Sequence, residues 1–438
     1  MADTFPTVSI GENVRFNALA ALPSSLAGLF SRRRRVVERL VARNTDRRVV
    51  ELLSRMRRKY GSGAVWVRVL GKKSLLLFGI EEIRGVLDDS PTVYADPTPK
   101  RLGMSHFQPN ALTLSRGEEW RERRRFNEQV LASAERVHPL ASTFLAVVDE
   151  EAARMLSTLT GELTWGRFED LFEEITLRVV FGDRARNDNV IVDRLDSMMS
   201  EANRIFGLKQ SRQFDPFYEQ IRAYVRAAEP GSLVSRFAAA APDEETRAEN
   251  QLPHWMFATK DTLAANAYRT LAAIVSLPKV EQQVRNELES AALDTPAGID
   301  SLRYLEGCIQ EAMRLWPTTP LLGRETVQDA VLSGVPVPAG TQVFIVNTFN
   351  HRDRWSLPDA DAFSPERWLT PQPDYRFNHF SNGPQVCPGI AVALFIGKAA
   401  LAGLLSGHRI RLEGAALRDE PLPHMVDHFA LTFGILPN

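Results

Sequence analysis

The chain has little cysteine, no long apolar run and no excess of one charge. It carries 2 cysteines in 438 residues, which excludes a disulfide framework and fits a reducing compartment. Lysine and arginine total 53 against 54 aspartates and glutamates, so the charge balance gives no reason to expect a nucleic-acid partner. The sequence therefore indicates that its sulfur atoms serve either packing or chemistry.

Membrane and targeting signals are also sparse. No uninterrupted apolar run reaches about 18 residues, the length at which a membrane span is expected. The first residues, MADTFPTVSIGENVRF, lack the charged and then apolar pattern of a secretory signal. The basic run from Arg32 to Arg35 has no flanking apolar stretch, so we interpret it as a solvated helix face rather than an anchor. We expect a cytoplasmic protein with no membrane span.

Periodicity predicts a mainly helical chain with a smaller β-rich part. Apolar residues at spacings of three and four predict helices in 36–59, 129–180 and 255–316, with Pro253 in the first turn of its helix or kinking it. The segment AVWVRVL and the following SLLLFG predict a hairpin, and short strands follow from about residue 317. The C-terminal HFALTFGIL predicts a closing strand pair. Because no repeat or interdomain linker is present, we predict a single domain over residues 1–438.

The segment FSNGPQVCPG, from Phe380 to Gly389, carries the most specific chemistry and leads into an apolar helical pattern. Gly383 permits a tight bend and Pro388 suits the first helical position, which predicts Cys387 at a helix N-cap. The helix dipole there favours a thiolate, and a thiolate in an apolar cleft suits haem iron as an axial ligand. The alternative is a buried structural cysteine, which is our interpretation of Cys308.

This segment resembles the haem-binding loop of the cytochrome P450 superfamily. Phe380, Gly383, Cys387 and Gly389 match the family pattern. Gln385 stands where the family usually has Arg or His donating to a haem propionate, and its amide still donates a hydrogen bond but brings no charge. The resemblance implies the cytochrome P450 fold, haem b as cofactor and Cys387 as the iron ligand of a soluble bacterial-type haem-thiolate monooxygenase.

Further segments also match the family, in the expected order. Glu311 and Arg314 of EAMR lie on one helix face and, by the resemblance, form a buried ionic triad with Arg367 of FSPERW. Such a triad is structural rather than catalytic. In GEEWRERRRF, Trp120 and Arg124 match the family's propionate-binding tryptophan and arginine. Arg324 of LLGRET matches a second such arginine, and a guanidinium can hold a carboxylate with two bonds.

The segment FATKDTLA resembles the oxygen-activating part of the family's central helix, with Ala258, Asp261 and Thr262 matching. In the family this acid and threonine deliver protons during oxygen activation, a step that needs a positioned donor or one water. Without the haem loop, an Asp-Thr pair bonded to its own backbone would be the better interpretation. Thr259 stands where the family has Gly, and Lys260 places a cation beside Asp261. Both differences are compatible with an oxidant other than dioxygen.

The substrate and the redox partner follow from the resemblance alone. We expect a small, largely apolar organic substrate, contacted by residues such as His106, Phe107, Phe206 and Leu321. Dioxygen would be the co-substrate and electrons would come from a separate ferredoxin and ferredoxin reductase, because the two cysteines leave no fused iron–sulfur centre. The alternatives are a haem-thiolate enzyme that uses peroxide or nitric oxide, and a haem-binding protein without turnover.

Overall fold

The computed structural model describes residues 4–61, 63–204, 209–370, 374–414, 417 and 422–437. Its α-helices are Ile10–Phe16 (α1), Leu22–Leu26 (α2), Arg34–Ala42 (α3), Thr45–Tyr60 (α4), Ile80–Asp88 (α5), Thr98–Met104 (α6), Gly117–Val130 (α7), Ala141–Thr158 (α8), Trp165–Phe181 (α9), Asn189–Ala202 (α10), Phe214–Ala227 (α11), Leu252–Phe257 (α12), Ala264–Ser276 (α13), Pro278–Ser290 (α14), Pro296–Ser301 (α15), Arg303–Leu315 (α16), Asn347–Asn350 (α17) and Ile390–Ser406 (α18). Its strands are Ala64–Val69 (β1), Lys72–Leu77 (β2), Tyr94–Ala95 (β3), Leu163–Thr164 (β4), Leu321–Thr326 (β5), Ala330–Leu332 (β6), Val335–Val337 (β7), Gln342–Val346 (β8), His408–Leu412 (β9) and Thr432–Pro437 (β10).

The long helix predicted over 36–59 is two helices, so that prediction was wrong in its length. The chain turns between α3 and α4 at Asn44, whose φ is 48°. Asparagine tolerates this left-handed conformation better than most residues, because its short side chain bonds locally. The break lets α4 bury Leu52, Leu53 and Met56 beneath the main sheet while its arginines stay outside.

Two sheets carry most of the β structure. The predicted hairpin is confirmed: β1 and β2 pair antiparallel, with Ala64 opposite Leu77, and belong to a five-stranded sheet in the order β1-β2-β8-β5-β3. The predicted C-terminal strand pair was wrong, because His428–Ala430 forms a 3₁₀ turn and a single strand, β10, follows it. In the three-stranded sheet β10 lies between β4 and β9. In the sequence, β4 is far from both of the other strands.

The largest apolar core surrounds a central helical segment. Pro253 lies in the first turn of α12, as expected, and α13 is buried along almost its whole length, Ala264 to Ile274. A π-turn, Ala258–Leu263, joins the two helices. The apolar side chains of α8, α9, α16 and α18 pack around α13, which confirms a mainly α fold with a smaller β part. None of the helices in the described ranges combines the length and the apolar character needed to cross a bilayer.

Candidate functional site

Cys387 lies in a short turn that leads into α18. A 3₁₀ turn, Gly383–Gln385, comes first, and α18 begins at Ile390 with Gly389 as its N-cap. The predicted N-cap position of Cys387 was therefore wrong by two residues. The helix still contributes, because the Gly389 N–H bonds the sulfur and stabilises its negative form.

The turn is held closed by its own backbone bonds and lies close against α5. The Cys387 N–H donates to the Phe380 carbonyl at 2.9 Å, and the Val386 N–H donates to Gly383. Gly383 has φ 66°, and a Cβ there would lie 2.3 Å from the Leu87 carbonyl oxygen, so only glycine fits without a shift. These bonds fix the direction in which the Cys387 side chain leaves the backbone.

Cys387 is partly exposed and lines a cleft together with Arg124, Val386 and Pro388. Burial raises the pKa of its thiol above the ordinary value, with the Gly389 N–H and the Arg124 guanidinium acting in the opposite direction. Cys308, in contrast, is fully buried on α16, which fits a packing role.

The buried ionic triad behind this turn is confirmed. Arg314 donates to both oxygens of Glu311, at 2.8 and 2.7 Å, and neither side chain is exposed. Arg367 lies 3.6 Å from Glu311 and makes its shorter contact, 2.7 Å, with Asp359. The Trp368 indole N–H fills the remaining position on the Glu311 carboxylate at 2.9 Å. The carboxylate is fully hydrogen-bonded, as a buried charge must be.

Arg324 lies beside the cysteine turn, where the resemblance places a propionate ligand. Its guanidinium is 3.3 Å from the Ser90 hydroxyl and 3.5 Å from the Ser381 hydroxyl. Asp96 lies 4.0 Å away, and Lys100 and Arg324 together outweigh burial and hold the pKa of Asp96 below its ordinary value. The guanidinium also donates to the Gly323 carbonyl at 3.0 Å, so it has one good backbone bond, two long hydroxyl contacts and one distant carboxylate partner.

Two arginines near Arg324 were missed in the sequence. The Nε atoms of Arg101 and Arg116 are buried with no hydrogen-bond partner among the described residues. Burial lowers the pKa of Arg116, and Arg101 lowers it further while Glu325 and Asp96 oppose the shift. Arg101 lies on α6 and Arg116 immediately precedes α7, and no local sequence pattern there distinguishes a buried guanidinium from a solvated one.

Trp120 and Arg124 lie four residues apart on α7, hence on one face of that helix. The Arg124 guanidinium donates to the Val386 carbonyl at 2.5 Å and to Glu128 at 2.6 Å. It therefore contacts the backbone next to Cys387 directly. Arg123 on the same helix is 3% exposed and donates to the Ser115 hydroxyl and the Glu245 carbonyl.

The π-turn of the central segment faces an internal cavity of about 320 Å³. Asp261 and Thr262 both line this cavity, together with Phe257. The same turn lies against the cysteine segment, because Leu263 packs at Gly397 of α18. A π-turn places consecutive residues where an α-helix would not, and such turns are frequent at functional sites. Thr259 and the matching Ala258 are half-buried within it.

Lys260 is the most heavily paired group in this region. Its ammonium, 2% exposed, lies 2.9 Å from Asp261, 2.8 Å from Asp196 on α10 and 3.5 Å from Glu173 on α9. Burial opposes its charge, but the three carboxylates outweigh burial and raise the pKa of Lys260. Burial also raises the pKa of Asp261, which Lys260 only partly offsets. One lysine thus ties the acid of the π-turn to two other helices.

Sequence reasoning missed the two acids that complete this cluster. Burial raises the pKa of Glu169 to about 7 and that of Glu173 to about 7, with Lys260 opposing both shifts. Both residues lie on α9 and are separated from Lys260 by some ninety positions in the chain. Two acids four positions apart on a helix are common in sequences. Only the tertiary packing distinguishes Glu169 and Glu173 from ordinary surface acids.

Comparison with known proteins agrees with this geometry. Residues 241–426 match the family model described as cytochrome P450. This stretch, which includes the π-turn, Glu311 and Cys387, is similar to the cytochrome P450 superfamily. Similar proteins include human cytochrome P450 4V2, 34% identical over 34% of this chain and 30% of the relative. Others are the probable cytochrome P450 4d20 of Drosophila melanogaster, 29% identical over 40% and 37%, and tabersonine 6,7-epoxidase isoform 2 of Catharanthus roseus, 31% identical over 33% and 29%. The matched part of the chain thus spans about a third of the length of these relatives.

Cytochromes P450 bind haem b through a cysteine thiolate, and the residues present fit that group. Cys387 is partly exposed, and the Gly389 N–H and Arg124 favour the negative form of its sulfur. On the same turn, the Gln385 Oε1 and the neighbouring His379 Nδ1 are buried without a partner among the described residues. Arg324, Arg101 and Arg116 supply cations of suitable type for propionates. The individual haem contacts of Trp120, Arg124, Ala258, Arg324, Phe380, Gly383, Gln385 and Gly389 stay predictions.

The predicted substrate contacts are only partly brought to the cavity. Leu321 lines it. Phe107 is fully buried and packs edge-on against Phe30 and Phe257, both of which line the cavity. His106 points away to Glu201 at 2.8 Å. Phe206 lies outside the described residues.

Proposed function

We propose that the protein is a haem-thiolate monooxygenase that inserts one oxygen atom from dioxygen into a small organic substrate, with electrons from a separate ferredoxin and ferredoxin reductase. The carrying observation is that a partly exposed Cys387 lies in the turn before α18, while Asp261 and Thr262 line a cavity and the adjoining Leu263 packs at Gly397 of the same helix. When bound, haem supplies the electron transfer and oxygen chemistry. The chain positions the haem and the substrate, supplies proton donors and excludes water from the site.

The chain's own groups divide this work. Gly389 and Arg124 stabilise negative charge on the Cys387 sulfur, and the triad at Glu311 holds the turn that carries it. Arg324 and Gln385 offer donors for carboxylates. Asp261 and Thr262 hold a carboxyl and a hydroxyl at the cavity surface, where a proton can pass to an oxygen atom directly or through one water.

The cavity supports a small substrate with an apolar body. Its volume of about 320 Å³ lies at the lower end of small-molecule sites. Aromatic and aliphatic side chains such as Trp165, Phe257 and Trp316 line it, along with the charged groups of Arg32 and Asp46. We therefore propose a largely apolar substrate with at least one polar group. The name of one relative, a tabersonine epoxidase, is compatible with insertion into such a molecule.

The test begins with the purified, haem-loaded protein reduced under carbon monoxide, whose Soret band reports thiolate ligation. Turnover of a substrate panel is then measured with ferredoxin, its reductase and dioxygen, and separately with hydrogen peroxide. Asp261→Asn and Thr262→Ala should lower reductase-dependent product at least about tenfold and release more peroxide, because protonation of oxygen is impaired. Asp170→Asn, at an exposed position on α9, is the matched control. A thiolate band with no turnover by either route contradicts the proposal.

A peroxide-using enzyme is the second candidate, and one contact favours it. Lys260 holds Asp261 in an ion pair at 2.9 Å, which reduces the freedom of this carboxyl to carry protons. An enzyme supplied with peroxide receives those protons with its oxidant. Turnover that needs peroxide, proceeds without reductase and is unchanged in Asp261→Asn would select this candidate over the first.

A further inference from the structure

The cavity at the π-turn has a second group of charged side chains, away from Thr262. Arg32 precedes α3, Asp46 lies on α4 and Arg269 lies on α13, and all three line the cavity. Thr262, Ala265 and Arg269 line it from the central segment, at spacings of three and four that place them on one helix face. At a rise of about 1.5 Å per residue, Arg269 lies about 10 Å along the helix from Thr262. A molecule held at Arg269 can therefore extend to Thr262.

Arg269 is a buried cation whose donors are mostly unmatched. Its side chain belongs to a residue that is 8% exposed. One terminal nitrogen donates to the Trp316 carbonyl at 3.1 Å, the other lies 3.1 Å from His428 Nδ1, and Nε has no partner within the described part of the chain. Burial lowers the pKa of His428 to about 2, so this imidazole is a neutral partner. A guanidinium has five N–H donors, and only two of them are used here.

Arg32 is a second cation at the same end of the cavity. Its guanidinium donates to the carbonyls of Gly28 at 3.2 Å and Thr318 at 2.6 Å, and both acceptors are neutral. Arg32 lies close enough to Arg269 to influence it. Burial lowers the pKa of Arg269 to about 10, and the charge of Arg32 adds to this shift. Two like charges thus share one end of the cavity.

Asp46 offsets these two charges without contacting either of them. Burial raises the pKa of Asp46 to about 6, and the guanidiniums of Arg352, Arg32 and Arg269 oppose the shift from a distance. Within the described ranges Asp46 forms no hydrogen bond or ion pair, and Arg352 already pairs with Asp361 at 3.0 Å. Among the charged groups that line this end, two cations therefore face one carboxylate, with no direct pair between them.

We propose that Arg32 and Arg269 hold the carboxylate of an organic acid whose apolar body extends along α13 towards Thr262. The proposal rests on the proposed monooxygenase function and names the class of its substrate. A buried cation without a close counterion is stabilised by an anion that reaches it, and the planar fork of a guanidinium matches a carboxylate with two bonds. The carbon that reacts would lie at the end of the molecule remote from the carboxylate.

The test is isothermal titration calorimetry on the haem-loaded, full-length protein at pH 8. The probes are phenylpentanoic acid, with its ring at the far end of the chain, its primary amide and the corresponding amine. The acid and the amide have nearly the same shape, and only the acid is charged at this pH. We expect the acid to bind at least about tenfold more tightly than the amide, because charge-assisted bonds to a guanidinium are stronger than neutral ones. The amine tests whether Asp46 is the group that binds the ligand instead.

Substitutions in the same assay identify the groups responsible. Arg32→Met removes the charge and should weaken acid binding at least about tenfold while changing amide binding less than about twofold. Arg269→Lys keeps the charge but loses the fork, and should weaken acid binding by a smaller factor. Asp46→Asn removes a competing carboxylate and should strengthen acid binding. Arg35→Met, at an exposed position on α3, is the matched control and should bind both probes as the unaltered protein does.

The outcomes separate this proposal from the proposed function. Equal affinity for acid and amide in the unaltered protein overturns it, as does acid binding that is unchanged in Arg32→Met or an absence of binding by all three probes. Tighter binding of the amine also overturns it and assigns this end of the cavity to Asp46. Selective acid binding without oxidation by ferredoxin, its reductase and dioxygen supports the carboxylate site and contradicts the monooxygenase instead. Where turnover occurs, the new oxygen should lie on the ring or the adjoining carbon.

Discussion

Two carboxylates on opposite sides of the candidate site have opposite surroundings. Glu311, behind the cysteine turn, accepts from Arg314 twice, from the Ser364 N–H and from the Trp368 indole. Glu169, beside the π-turn, has no hydrogen bond or ion pair within the described residues, and burial raises its pKa to about 7. The saturated carboxylate cannot change state without breaking a network. The unsaturated one can take up and release protons near neutral pH.

This difference distinguishes residues that support the site from residues that can take part in proton transfer. The cysteine side is held by the saturated Glu311 network and by the backbone bonds of the turn, which fix the direction of one sulfur atom. The π-turn side keeps Asp261, Glu169 and Glu173 close to one ammonium and partly accessible, so that charge can be redistributed when a substrate or a proton arrives. Substitutions on the two sides should therefore differ in size and in pH dependence.

The largest expected effect follows from Cys387→Ser. This change removes the sulfur ligand, so the reduced, carbon monoxide-bound protein should lose its thiolate-type Soret band completely. Cys308→Ser is the matched control, because that cysteine is fully buried on α16 and should affect stability but not the band position. An unchanged band in Cys387→Ser would show that another residue holds the iron.

Glu311→Gln tests whether the support network is as saturated as the contacts indicate. The change leaves the Arg314 guanidinium buried with no countercharge at 2.7 Å, which should cost about 3–5 kcal/mol of the free energy of unfolding. Chemical denaturation of the haem-loaded protein measures it. Glu51→Gln, which breaks an exposed pair with Arg47, should cost about 0–1 kcal/mol. Equal losses in the two variants would contradict a special role for the buried pair.

Lys260→Met should have a smaller effect that depends on pH. Three carboxylates lose their cation, but Asp196 and Asp261 are partly reached by solvent, so the expected cost at pH 8 is on the order of 2 kcal/mol. At pH 5.5 the cost should shrink, since Glu169 and Glu173, with pKa values of about 7, are then largely protonated. Measuring the free energy of unfolding of both proteins at pH 8 and pH 5.5 tests this pH dependence. A loss independent of pH would mean that packing, not charge, is the role of Lys260.

Glu169→Gln should stabilise the protein above neutral pH. Burial raises the pKa of this carboxyl from 4.5 to about 7, so the folded state holds the proton more tightly and loses stability as the pH rises through this interval. Because the amide cannot ionise, the free energy of unfolding of the variant should exceed that of the parent by on the order of 1–2 kcal/mol at pH 8. Below pH 4.5 the two free energies should be equal. Thermal unfolding across this range measures the difference. A Glu169→Gln protein less stable than the parent at pH 8 would show that the carboxylate is paired.

The sequence indicated the parts whose spacing is local. The β1–β2 hairpin, Pro253 in a first helical turn and the need for glycine at position 383 all follow from a few adjacent residues. The pairing of Glu311 with Arg367 followed only from the family resemblance, because 56 residues separate them. The break at Asn44 and the start of α18 at Ile390 were misplaced, since weak local signals compete at helix ends.

By itself, the sequence determined which chemistry the chain carries: one cysteine in a glycine-bearing turn, an acid–threonine pair, and arginines in the right order for a haem protein. Only the tertiary structure decided how these groups are tuned. The pKa values of Glu169 and Glu173 and the three partners of Lys260 depend on burial and on distances between remote segments. Such electrostatic and packing effects depend on the groups that surround a side chain in space. The order of residues in the chain does not show which groups these are.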